Sequence, residues 1–109
     1  MKPIALQTYT VRDAMQKDLW GTIRAVAEIG YKGLEVGGFP GYDPADVARF
    51  INDLGMVVTS AHGALPTPAN INEIVDTQKA LGCSRVVSGF GPDDMKTLDA
   101  CKVCAEKFQ

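Results

Sequence analysis

The chain has 109 residues, 46% hydrophobic and 22% charged, which suffices for one domain with a single core and is far from the composition of a disordered segment. Eleven Lys and Arg against thirteen Asp and Glu give a formal net charge of −2, so no basic footprint exists for a nucleic-acid backbone. The opening Met1-Lys2-Pro3-Ile4 passes straight into a strand-like run without the long apolar stretch of a signal peptide or a membrane span, and the expected location is cytoplasmic.

In chain order, Ile4-Ala5-Leu6 reads as a short strand followed by the polar Gln7-Thr8-Tyr9, and the first loop runs through Val11-Arg12-Asp13. Asp18 is placed to cap a helix with Leu19, Ile23, Val26 and Ala27 on one face, and Gly30 is a natural stop. Gly33-Leu34-Glu35-Val36 is the second strand, leading into the glycine-rich loop Gly37 to Gly41. Asp43-Pro44 opens the next helix as N-cap and N1 proline, with Val47, Phe50, Ile51 and Leu54 at helical spacing. After Gly55 the β-branched Val57-Val58-Thr59 form the third strand, and His62, the single histidine, falls just past its C-terminal end.

Asn70 and Glu73 have the spacing of a capping box for a third helix whose apolar stripe is Ile71, Ile74, Val75 and Leu81, closed by Gly82. Arg85-Val86-Val87-Ser88 is the fourth strand, and Asp93-Asp94 open a last helix lined by Met95, Leu98, Cys101, Ala105 and Phe108. Cys101 and Cys104 have metal or redox spacing but lie inside that helix, where i and i+3 share a face, so packing is the expected role. Trp20 is expected to pack in the same way.

The helix-ending glycines Gly30, Gly55 and Gly82 recur with an apolar strand after each, which predicts an α/β chain of four βα units with parallel strands and outer helices. No dinucleotide fingerprint is present, since Gly89-Phe90-Gly91 has Asp94 where a third glycine would stand. The last helix reaches Phe108-Gln109 without a glycine, proline or polar cap. The expectation is therefore half of a (β/α)8 TIM barrel, residues 1–109 forming a single N-terminal half-barrel truncated in the fourth helix, because a complete barrel takes about 250 residues.

The stretches Ile4 to Asp13, Ala27 to Val36, and Leu54-Gly55 through Ser60-Ala61-His62 resemble the sugar phosphate isomerase/epimerase family of xylose-isomerase-like barrels. The resemblance implies metal-assisted proton transfer next to the carbonyl of a sugar or sugar phosphate, with a divalent metal such as Mn, Mg, Zn or Co. In that family the metal ligands and acid/base glutamates lie on later strands, which have no counterparts here. What maps onto this chain is the substrate-facing rim. Glu35 and His62 are the catalytic candidates, Gln7 and Tyr9 the substrate-binding ones, and His62 is the one candidate metal ligand, by its similarity to a ligand histidine in the nuclease branch of the fold.

A carboxylate inside an apolar strand is costly unless it is paired or used, which singles out Glu35. Moving a proton beside a carbonyl needs a base of near-neutral pKa and a group to hold the enediolate oxygens, for which one histidine and one glutamate are the minimum. Open first and fourth strands predict either a homodimer that closes the ring or a missing C-terminal half. The competing reading is a non-catalytic sugar-binding or assembly module, and an abasic-site endonuclease is disfavoured by the acidic charge.

Overall fold

The computed structural model describes all residues, 1–109, and its centre is one sheet of four parallel strands in the order β1-β2-β3-β4. The strands are β1 (Ala5–Gln7), β2 (Gly33–Val36), β3 (Val57–His62) and β4 (Val86–Val87), each beside its predecessor in sequence. This unbroken order is that of consecutive right-handed βα crossovers coiling in one direction, as in a barrel wall. A doubly wound sheet would reverse direction at a switch point. The fold is four βα units of a (β/α)8 barrel, as the glycine-punctuated sequence predicts.

Five α-helices connect and flank the strands: α1 (Arg12–Lys17), α2 (Leu19–Ile29), α3 (Pro44–Asp53), α4 (Ile71–Leu81) and α5 (Leu98–Glu106). The expected caps hold for the two central helices. Asp18 Oδ1 accepts from the Gly21 amide at 2.9 Å, and Asp43 Oδ1 accepts from Ala45 at 2.8 Å ahead of Pro44. Gly30 ends α2 with a φ of 113°, a left-handed conformation closed to most side chains.

The helices cover one face of the sheet. Leu34, Val36, Val58 and Ala61 from the strands interlock with Leu19, Ile23 and Val26 of α2 and Val47, Ala48 and Ile51 of α3. Ile23, Leu34, Val36, Val47, Ile51 and Met56 are each less than 2% exposed. Burying a side chain of this size contributes about 1.5–3 kcal/mol, so these six dominate the core. Trp20 packs beside them as expected, edge-on to Phe50 at 4.9 Å and Tyr42 at 5.4 Å.

The other face is open. Ala5, Gly33 and Val57 form one cross-strand row, offset by one residue from the core-facing row of half-buried Leu6 and buried Leu34 and Val58, and Val57 is 55% exposed. Such alternation puts the first row on the face that a closed barrel turns inward.

Four local expectations change. The first loop is a 3-10 turn, Thr8–Val11, running into α1, because Arg12 and the residues after it contain no helix breaker before Asp18. Asn70 does not cap α4; its amide accepts from Thr67 N at 2.7 Å and donates to Leu65 O at 3.1 Å, closing the preceding turn instead. Asp93 and Asp94 lie in a 3-10 turn, and α5 starts only after Thr97, whose hydroxyl accepts from the Ala100 amide at 3.1 Å. Strand β4 keeps only two residues, and its unit packs lightly: Leu81 and Cys104 are the fully buried hydrophobics of α4 and α5. Cys104 and Cys101 donate weakly to the Asp94 and Met95 carbonyls, and all three cysteines are free thiols. No helix is long and apolar enough to cross a membrane.

Candidate functional site

At the C-terminal end of the strands, where βα loops gather in barrels, Gln7, Glu35, Ser60 and His62 meet. Gln7 is the last residue of β1 and stands directly across from Glu35 on β2. Glu35 in turn pairs with Ser60 on β3, and His62 is the last residue of that strand rather than lying beyond it.

A register shift sets this arrangement. Leu34 pairs with Val58, but the next residue, Glu35, pairs with Ser60, so Thr59 is an extra residue in β3. A bulge of one residue moves everything after it to the opposite face. Without it, Thr59 and Ala61 would share the face of Glu35, and His62 would point into the helix layer. The bulge has local supports: Thr59 Oγ1 donates to Leu34 O at 3.1 Å, and Gly33 makes room for the Thr59 methyl, which would lie 2.7 Å from a Cβ there.

The Glu35 carboxylate is engaged on both oxygens. Ser60 Oγ donates to Oε2 at 2.6 Å, while Oε1 faces His62 Nε2 at 2.8 Å and Gln7 Nε2 at 3.0 Å. The Ser60 hydrogen bond, then that from His62, holds the carboxyl below the usual carboxylate range; partial burial opposes them, and the charge of His62 and the Gln7 amide act in the same sense as the hydrogen bonds. Glu35 is therefore an ionised acceptor at neutral pH.

Gln7 Nε2 also lies 3.2 Å from His62 Nε2, so three polar atoms form a closed triangle. Oε1 only accepts and an amide nitrogen only donates, so whichever role His62 Nε2 takes, one edge joins like to like. The shorter, charge-assisted edge to Glu35 selects the tautomer with the proton on Nε2. Nδ1 is then the basic nitrogen of a neutral His62.

Gln7 and His62 line a cleft of about 750 Å³ that also takes in Tyr9, Arg12, Phe39 and Tyr42. Glu35 and Ser60 are not among the lining residues, although Gln7 and His62, the two partners of Oε1, are. The structure thus brings together three of the four candidate residues, Gln7, Glu35 and His62, and sets the fourth, Tyr9, in the wall of the adjoining cleft. Sequence reasoning missed two polar groups. Ser60 was legible, being two residues before His62 and so on its face of a strand. Arg12 was hidden by reading its segment as a loop.

As ligands for a divalent cation, Glu35 and His62 supply one carboxylate and one imidazole, and no group of three or more His, Cys, Asp or Glu side chains comes together anywhere in the chain. Zinc centres take four ligands and Mg or Mn centres about six, so the side chains of this chain do not by themselves complete the metal site that the resemblance implies.

The consecutive parallel strands and a polar constellation at their C-terminal rim define a barrel of the (β/α)8 class, present here as half its wall. Among solved structures, a sugar phosphate isomerase/epimerase from Parabacteroides distasonis is similar with a TM-score of 0.69 at 24% identity, covering 98% of this chain and 45% of that one. The AP endonuclease, family 2, from Brucella melitensis gives 0.68 at 16% identity, over 99% of this chain and 47% of its own. The likeness to these two barrels is one of fold alone, and the chain spans less than half the length of either. No protein-family model and no curated protein sequence matches it.

Proposed function

We propose that this chain is the substrate-facing half of a sugar isomerase/epimerase-type barrel, in which His62 moves a proton at the carbon next to a sugar carbonyl. The observation that carries this reading is the 2.8 Å pair of His62 and Glu35 at the rim of a cleft of sugar size. Glu35 fixes the ring through Nε2 and stabilises the imidazolium that forms when Nδ1 takes the proton. Gln7 holds Glu35 through one amide N–H and offers the other to the developing enediolate oxygen. Further ligands for a metal, and a second acid or base, would come from four more strands, supplied by a second copy of the chain or by further βα units.

The test is exchange of solvent deuterium into the carbon-bound position beside the carbonyl of fructose or fructose 6-phosphate, followed by proton NMR. A positioned base is expected to raise exchange about 10²-fold over solution. His62→Gln should abolish the gain and Glu35→Gln should reduce it. Exchange at the solution rate with the unaltered chain would sink the proposal. An abasic-site nuclease reading shares the fold of the second neighbour, but the net charge of −2 and a single arginine in the cleft provide little grip on a DNA backbone.

A further inference from the structure

The geometry points to an oxyanion site at Arg12 in the wall of the cleft, which takes the phosphate, or a chemically equivalent carboxylate, of a sugar-sized ligand. It rests on the cleft being a substrate site and supplies what His62 and Glu35 do not: a handle on the far, charged end of the molecule.

Arg12 is the first residue of α1, presented by the 3-10 turn that follows β1. Its guanidinium lies 4.2 Å over the centre of the Tyr9 ring, and Nη1 donates to the Tyr9 carbonyl at 2.8 Å. Stacking and one hydrogen bond fix the plane of the group while most of its five N–H donors stay available, in the fork geometry that matches a phosphate or carboxylate. The one nearby carboxylate, Asp13, approaches no closer than 3.9 Å and is 84% exposed, so water screens it and it competes weakly.

The surroundings select for an anion. Arg12 is the one permanently charged side chain lining the cleft, and no Asp or Glu lines it. A cation in a concave, largely apolar wall focuses positive potential on the space before it. Tyr9, Phe39 and Tyr42 give that space aromatic surface on which the C–H face of a sugar packs.

The floor is open in an informative way. Gly37 and Gly38, directly after β2, line the cleft with φ values that any residue adopts, and a Cβ on either would meet nothing within 4 Å. Neither backbone geometry nor packing calls for glycine there. What the two missing side chains leave is room for a ligand, with the Gly37 N–H held by Thr8 Oγ1 at 3.3 Å and the Gly38 N–H bonded to no other group of the protein.

Binding of fructose, fructose 6-phosphate and gluconate to the full chain, read from amide NMR shifts at Gly37 and Gly38, tests the assignment. Fructose 6-phosphate is expected to bind about tenfold or more tightly than fructose, the range of a charge-assisted bidentate contact. Arg12→Gln should erase that preference, read as the ratio of the two affinities within the variant, and Arg12→Lys should keep part of it. Gluconate losing affinity in step with fructose 6-phosphate marks a general oxyanion site, and an effect on fructose 6-phosphate alone marks a phosphate site. Gly38→Val, at a position with free space and ordinary φ, should weaken all ligands while the chain stays folded. An Arg12→Gln protein that binds fructose 6-phosphate like the original, or an original chain that shows no preference or binds none of the three, overturns the proposal. Arg12-dependent binding without deuterium exchange would retain this site and remove the proton-transfer reading; exchange on fructose that Arg12→Gln leaves intact, with no preference for the phosphorylated sugar, would do the reverse.

Discussion

Ser60 donates a 2.6 Å hydrogen bond to Oε2 of Glu35 from a position that faces the glutamate only because β3 carries one extra residue, Thr59, in its pairing with β2. That bond leaves Oε1 for His62 and Gln7 and does most to keep the carboxyl ionised. A glutamate held in this state is a poor general acid and a good anchor for an imidazole proton, which is why proton movement is assigned to His62 and orientation to Glu35.

Removing the hydroxyl should therefore release the carboxyl. Ser60→Ala is expected to raise the Glu35 pKa toward its ordinary value more than Gln7→Ala does, because the Ser60 hydrogen bond is the largest single cause of the lowering and that of Gln7 the smallest. Carboxyl carbon NMR titration of the two variants measures the ranking, and an unchanged Glu35 in Ser60→Ala would refute it.

The same lowered pKa fixes the sign of a pH effect. Glu35 binds its proton less readily folded than unfolded, so the stability it contributes is complete above the ordinary carboxylate pKa of about 4.3 and is lost as pH falls through that value toward the folded one. Urea midpoints across this range should fall more steeply with acid for the unaltered chain than for Glu35→Gln. Equal slopes for the two proteins would remove Glu35 from the acid response.

Gly33 has a role at a distance. A methyl there would meet the methyl of the bulged Thr59 at 2.7 Å and the carbonyl of Val57, two residues before it, at 3.2 Å. Gly33→Ala is expected to cost about 1–3 kcal/mol and to loosen the Glu35–His62 pair without touching either residue. The readouts are the denaturation midpoint and the Glu35 pKa, which should rise; Thr59→Ser in the same chain should restore both in part.

The two faces of the sheet should respond oppositely to substitution. Ile51, with no exposed surface, packs between α3 and the strands, and Ile51→Ala is expected to cost about 2–5 kcal/mol, much of the 5–15 kcal/mol that a domain of this kind has. Val57 on the open face is 55% exposed, so Val57→Lys should change stability by about 0.5 kcal/mol or less. If the inner face mediates self-association, the lysine should also reduce it in sedimentation velocity, whereas undiminished association would locate that contact elsewhere.

Local chemistry in the sequence specified most of the scaffold. Asp18, Asp43 and Pro44 start helices because their side chains or ring satisfy or pre-empt free backbone donors, and Gly30 and Gly82 stop them because few other residues tolerate a left-handed φ. The alternation of such signals with β-branched runs was enough to predict parallel strands, and the missing dinucleotide fingerprint favoured a barrel wall over a doubly wound sheet. It also marked Glu35 as a carboxylate in an apolar strand and His62 as a strand-end imidazole. Where a side chain had two partners to choose from, sequence did not suffice: Asn70 bonded backward to Leu65 and Thr67 instead of capping α4, and Thr97 displaced the aspartates as the cap of α5.

The meeting of Gln7, Glu35 and His62 was decided by tertiary structure alone. Side chains alternate along a strand, so the face on which His62 emerges depends on an even or odd count from the point of pairing. That count is set by whether Thr59 is paired or bulged out. The choice depends on the space over Gly33 and the carbonyl of Leu34, both on a neighbouring strand, and it exists only once the two strands lie side by side.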